Sequence, residues 1–141
     1  MEAISLFRQQ VKEARDLLEA TMNDVTTEQA HWLPPGRAMP IGAHYTHIVM
    51  SQDMGLHGLL KGSPPLAATA WAGKTGASEL PSPMGPGESW DQWARRLQID
   101  LPALRQYALA VYAASDEYLA SLTDDLPLIV DVLRERDKPA R

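Results

Sequence analysis

Three of the chain's four histidines, His44, His47 and His57, fall within residues 39–62, MPIGAHYTHIVMSQDMGLHGLLKG, together with Asp53. Neutral imidazole is the commonest nitrogen donor for zinc, nickel or iron, so a metal site is the first chemistry this stretch suggests. His44 and His47 stand three apart, and on a helix their rings would project from neighbouring positions on one side. Such a pair supplies two ligands, whereas an open catalytic zinc site takes three from the protein. The alternative for His47 is a half-buried histidine hydrogen-bonded to a neighbouring helix. Asp53 and His57, four apart, have the spacing of a carboxylate–imidazole pair, and a solvated surface pair is the plainer reading. Tyr45 and Tyr112 read as core-edge residues rather than general acids. Trp32, Trp71, Trp90 and Trp93 read mostly as core or interface anchors. With no cysteine the chain has no thiolate ligand and no cysteine nucleophile, so any soft chemistry needs an external thiol.

These residues need a helix to hold them. Apolar or aromatic residues at Ile41, Tyr45, Ile48, Met54 (or Leu56) and Leu59 approach the 3.6-residue period of a helix with one buried side, over about residues 40–61. Pro40 suits a first turn, and Gly62 followed by Ser63, Pro64 and Pro65 is a stop. The histidine line, continued by Ser51 and Met54, borders that stripe, so the spacing predicts rings pointing half into a core.

The first helix is predicted over residues 2–22, with Ile4, Phe7, Val11, Ala14, Leu18 and Met22 on one side and Leu17 widening it. Arg8, Lys12, Arg15 and Glu19 occupy the other side. Thr26 with Gln29 forms a capping-box signature for a short turn before Trp32, and Ser89 with Gln92 forms a second one. From there Trp93, Leu97, Leu101, Leu104, Ala108, Val111 (or Tyr112), Ser115 and Leu119 predict a third long helix over residues 89–122. Pro102 removes a backbone donor within that run, which predicts a kink or a break. Residues 63–88 lack periodicity, with Trp71 as their one large anchor; a lid, a partner surface or a crossover between helices would each explain them. Gly73, Lys74 and Thr75 are not a phosphate loop, because the first glycine such a loop needs would fall at Ala68. Residues 126–133 are apolar but interrupted by Pro127 and Asp131, and do not read as a full fourth helix.

Several of these motifs, in this order, resemble the DinB-like superfamily, also called the YfiT-like metalloenzymes. Trp32-Leu33-Pro34 and the helix carrying His47-Ile48-Val49-Met50-Ser51-Gln52-Asp53 carry the general likeness. Residues 71–76, WAGKTG, and 90–96, WDQWARR, look like the family's actinobacterial branch. The resemblance covers roughly residues 1–124. It implies an all-α, up-down-down-up four-helix bundle, here with the fourth helix short or missing. It also implies a divalent metal, zinc or nickel, held by three histidines. One comes from the second helix, which His47 matches with His44 beside it, and two come from a His-x-x-x-His pair on the last helix, which no position here matches. Relatives include metal-dependent transferases and isomerases that use low-molecular-weight thiols such as mycothiol or bacillithiol. A metal-dependent thiol S-transferase or isomerase acting on a small molecule is therefore one expectation. A non-catalytic, dimeric binding bundle with an incomplete metal site is the other.

Composition bounds both. At 141 residues, 45% of them apolar and 22% charged, the chain is expected to form one domain over residues 1–141. A net charge of −5 argues against a nucleic-acid partner. No apolar run reaches the ~18–20 residues of a membrane span, and the N-terminus lacks a signal peptide's order of basic then apolar residues, so a cytoplasmic location is expected. Three amphipathic helices leave one apolar stripe partly uncovered, and a symmetric homodimer is the expected remedy.

Overall fold

The computed structural model describes residues 3–81 and 89–122. The periodicity of the first segment produces α1, Ala3–Met22, and the Thr26 capping box opens α2, Thr27–His31. In that box the Thr26 hydroxyl accepts from Gln29 N (3.1 Å) and the Gln29 side chain accepts from Thr26 N (3.0 Å), satisfying two helix-end donors at once. The chain then forms α3, Ile41–Met54, which continues as a π-helical stretch, Gly55–Lys61, and stops at Gly62 with φ +61°. A 3-10 turn, Leu66–Ala68, follows. The second capping box, Ser89 with Gln92, opens α4, Trp90–Arg96. The last described helix is α5, Leu101–Ser121. Among the described residues there is no strand, only an isolated antiparallel bridge between Ala77 and Ile99, and the fold is an all-α bundle. No described helix is long and apolar enough to cross a membrane.

The predicted third helix is two helices. Its break comes at residues 97–100, where Asp100 caps α5 by accepting from Ala103 N (3.2 Å), and Pro102 then sits in the first turn. Proline costs nothing there, because the donor it lacks has no intrahelical partner, so α5 carries no kink from it. The connection before α4 is tied to this break: Gly76 O accepts from Asp100 N (2.7 Å) and Gln98 O from Ser78 N (2.8 Å). Gly76 has φ +81°, and a Cβ added to it would lie 2.5 Å from Leu104 N. Only glycine fits that approach.

The core lies where α3 and α5 meet. Val49, Met50, Leu104, Tyr107 and Val111 are fully buried there, and Trp93 and Leu97 close one side. Two faces differ from expectation. On α3 the buried line is Tyr45, Thr46, Val49, Met50 and Asp53, while Ile41, Ile48, Met54 and Leu59 are exposed. Small residues decide this: Gly42 lies against α2, where a Cβ would meet Ala30 O at 2.7 Å, so the helix packs on its Gly42/Ala43 side. Thr46 tolerates burial because its hydroxyl donates to Gly42 O (2.7 Å).

On α1 only Met22 is buried, and the residues assigned to the outer side make the contacts with α5 and α3. Arg8 pairs with Asp116, Arg15 donates to Tyr112 O (2.8 Å), and Glu19 accepts from both Tyr45 (2.8 Å) and Tyr112 (2.7 Å). Besides the buried Met22 and the core-packed Leu18, the helix docks through this polar seam, and Phe7, Val11 and Ala14 face a groove that Leu18 also lines. The short or missing fourth helix expected from residues 126–133 lies outside the described residues, as does the rest of the long connection.

Candidate functional site

Two clusters gather the chain's chemically capable residues. The first is at the surface. His44 and His47 project from α3 one turn apart, as their spacing predicts, but both are exposed rather than half-buried. They pack on Trp90 of α4, with ring centroids 5.5 Å apart for His44 and 4.8 Å for His47, the latter edge-on at 74°. Trp90 in turn stacks on the buried Trp93 at 5.1 Å. The one-residue shift of the α3 core face explains the displacement: with Thr46 and Val49 inward, His44 and His47 rotate outward.

The second cluster is buried, and its centre is Asp53, which is fully enclosed. Oδ1 faces His57 Nδ1 at 2.8 Å and accepts from Leu66 N at 2.8 Å. Oδ2 accepts from Ala67 N at 2.9 Å and from the Tyr107 hydroxyl at 2.5 Å. His57 Nδ1 also lies 3.2 Å from the Asp53 carbonyl oxygen, so acceptors alone surround it and it carries the proton. The solvated surface pair expected for Asp53 and His57 is thus corrected to a buried one. The π-helical stretch widens the turn after Met54 and brings His57 back over Asp53; such stretches often mark functional positions.

Four donors around one carboxylate satisfy its acceptor capacity, which is how a buried charge is tolerated. Burial, then the hydrogen bond to Asp53 and its negative charge, pushes the Tyr107 phenol far above its ordinary value, so it does not serve as an acid near neutrality. The cluster's work is attachment: it fastens the 3-10 turn and the π-helical stretch to α5, and Trp71 packs on Tyr107 at 5.9 Å. Tyr107 was not singled out by the sequence pattern, although Leu104, Tyr107 and Val111 share the apolar spacing of α5. Trp32, expected as an anchor, is instead 64% exposed.

The fit of a resident metal can be tested on the histidines themselves. His57 is held by Asp53. His31 is held on both sides, its Nδ1 2.7 Å from Thr27 O and its Nε2 accepting from Ile99 N at 3.0 Å. That leaves His44 and His47 as the imidazoles open to a ligand, and among the described residues no three His, Cys, Asp or Glu gather closely enough to hold a metal ion. No histidine follows His57 in the sequence. The described donor set does not fit a three-histidine centre.

An all-α bundle with a histidine-bearing second long helix is the class defined by this geometry. A family model described as the DinB superfamily matches residues 10–137, and the chain belongs to that superfamily. No curated protein and no solved structure matches it.

Proposed function

We propose that this DinB superfamily member is a non-catalytic binding bundle with an incomplete metal site. The observation that carries this reading is the state of the four histidines: two are committed to internal hydrogen bonds, and His44 and His47 lie exposed against Trp90 with no third donor described beside them. Two surface imidazoles one turn apart bind a divalent cation weakly and leave it mostly solvated. The family's metal-dependent transfer or isomerisation with mycothiol or bacillithiol would need a metal held firmly enough to activate the thiolate. No step of that kind is supported by the residues described.

The test is metal analysis of the purified chain, followed by turnover assays with mycothiol and bacillithiol in added zinc or nickel. Well below one metal per chain and no thiol-dependent turnover are expected. One firmly bound metal per chain, with turnover lost in His47→Ala, would overturn the reading and favour the enzyme.

A further inference from the structure

Among the described residues, His31 is the histidine whose ring accepts a hydrogen bond from the backbone. Its Nε2 lies 3.0 Å from Ile99 N, an N–H that can only donate. Its Nδ1 lies 2.7 Å from Thr27 O, a carbonyl that can only accept. The two contacts fix the tautomer: Nδ1 carries the proton and Nε2 presents a lone pair. His57 differs, because its Nδ1 faces acceptors and a second proton on that ring removes neither contact. His44 and His47 rest on Trp90 through their ring faces and edges instead.

The bond joins positions 68 residues apart in the chain. On one side is α2; on the other is the break between α4 and α5, where Ile99 bridges to Ala77 and Asp100 N donates to Gly76 O. Ile99 is 7% exposed, and a Cβ added to Gly42 would lie 2.7 Å from its Cδ1, so the break, α2 and the start of α3 meet here. The break follows directly on α4, which carries Trp90 onto His44 and His47. The bond thus sits on the chain that positions the surface cluster.

We propose that the His31–Ile99 bond is an acid-released latch between α2 and the α4–α5 break. A second proton on the ring occupies Nε2, and two N–H groups then face each other where a donor and an acceptor had met. The latch is closed with the neutral ring and open with the imidazolium, and imidazole is the side chain that changes charge near neutrality. The ring is half-buried, so protons reach it without unfolding. The charged and titratable groups on the elements around it have other places. Glu28 of α2, Arg37 of the following loop and Arg95 of α4 are exposed. The Asp100 carboxylate accepts from Ala103 N, Arg96 of α4 pairs with Glu79, and His44 of α3 is turned to Trp90.

Hydrogen exchange at the Ile99 amide of the full chain reads the latch directly. Its protection factor should fall about tenfold between pH ~7.5 and ~5.5, with the helical circular-dichroism signal retained. In His31→Gln, whose side chain does not titrate, the same protection factor should be independent of pH over this range, whether it is high or low. Nitrogen NMR of the wild-type chain at neutral pH should place the His31 proton on Nδ1. A proton on Nε2 at that pH would overturn the proposal. So would wild-type protection that does not change over this range, or a fall of equal size in His31→Gln, which would assign the response to another group.

Discussion

Asp53 is buried more completely than any other carboxylate described in the chain, and the groups around it show what ionisation achieves there. Two backbone N–H groups, a phenol and an imidazole N–H all donate to one carboxylate. Removing the carboxylate strands three of the four, His57 Nδ1 keeping the Asp53 carbonyl oxygen, whereas removing the phenol strands nothing, since Oδ2 keeps the Ala67 N–H. Asp53→Ala is therefore expected to cost about 3–5 kcal/mol, the range for breaking a buried pair, and Tyr107→Phe about 1–3 kcal/mol. Urea unfolding midpoints with unchanged slopes would measure both, and equal costs would contradict the central role of Asp53. Burial raises the phenols of Tyr45, Tyr107 and Tyr112, with the hydrogen bonds to Glu19 or Asp53 adding to it. Their folded values lie above the unfolded value of about 10, so their contribution is complete below pH ~10 and declines as pH rises beyond it. In an alkaline titration, tyrosinate absorbance from these residues should appear together with loss of the helical signal. Ionisation well before unfolding would show that they are open to solvent.

At the scale of elements, packing is decided by small residues and caps more than by apolar stripes. Gly42 lets α2 and α3 approach, and Gly76 lets the loop reach the first turn of α5. Gly73 and Gly76 both have positive φ, but only Gly76 has backbone within 3 Å of where a Cβ would sit. Gly73→Ala should lose about 1 kcal/mol, the cost of a left-handed L-residue, and Gly76→Ala distinctly more, because a fixed backbone cannot move aside. Thermal midpoints of the two variants distinguish the effects; similar losses would mean that the loop does not press on α5. Asp100→Ala removes the α5 cap and should cost about 1 kcal/mol. The exposed Arg8–Asp116 pair contributes little beyond orientation, so α1 is held by the buried Met22 and the core-packed Leu18, with Glu19 on its two tyrosines and Arg15 on Tyr112.

Taken as a whole, the molecule carries a net charge of −5, with Lys12, Arg95 and Lys74 spread over different elements. Net acidity disfavours a phosphate backbone, which is bound through clustered Lys and Arg, and we propose that nucleic acid is not a partner. No retention of duplex DNA is expected in a gel-shift titration, even at low salt; retention that weakened steeply with salt would contradict this.

Helix positions, both capping boxes, the break near Pro102 and the DinB likeness were all legible in the sequence. Each depends on residues close together in the chain: a hydroxyl and an amide three apart, a proline without its N–H, an apolar period of 3.6. Which face each helix buries was not legible, and it decided the site. Hydrophobicity placed Ile41 and Ile48 inward, yet Gly42 against Ala30 turned α3 by about one residue and moved His44 and His47 out to Trp90. That same turn carried Asp53 into the interior, where Tyr107 and two N–H groups from a distant loop made its charge acceptable. On α1, the charged residues of the predicted outer side became the seam, because Tyr45 and Tyr112 stand where Glu19 can accept from both. Local pattern determined where helices form, and the pairing of residues far apart in the chain determined which side chains face the core, since a polar group is buried only where a partner from another element satisfies it.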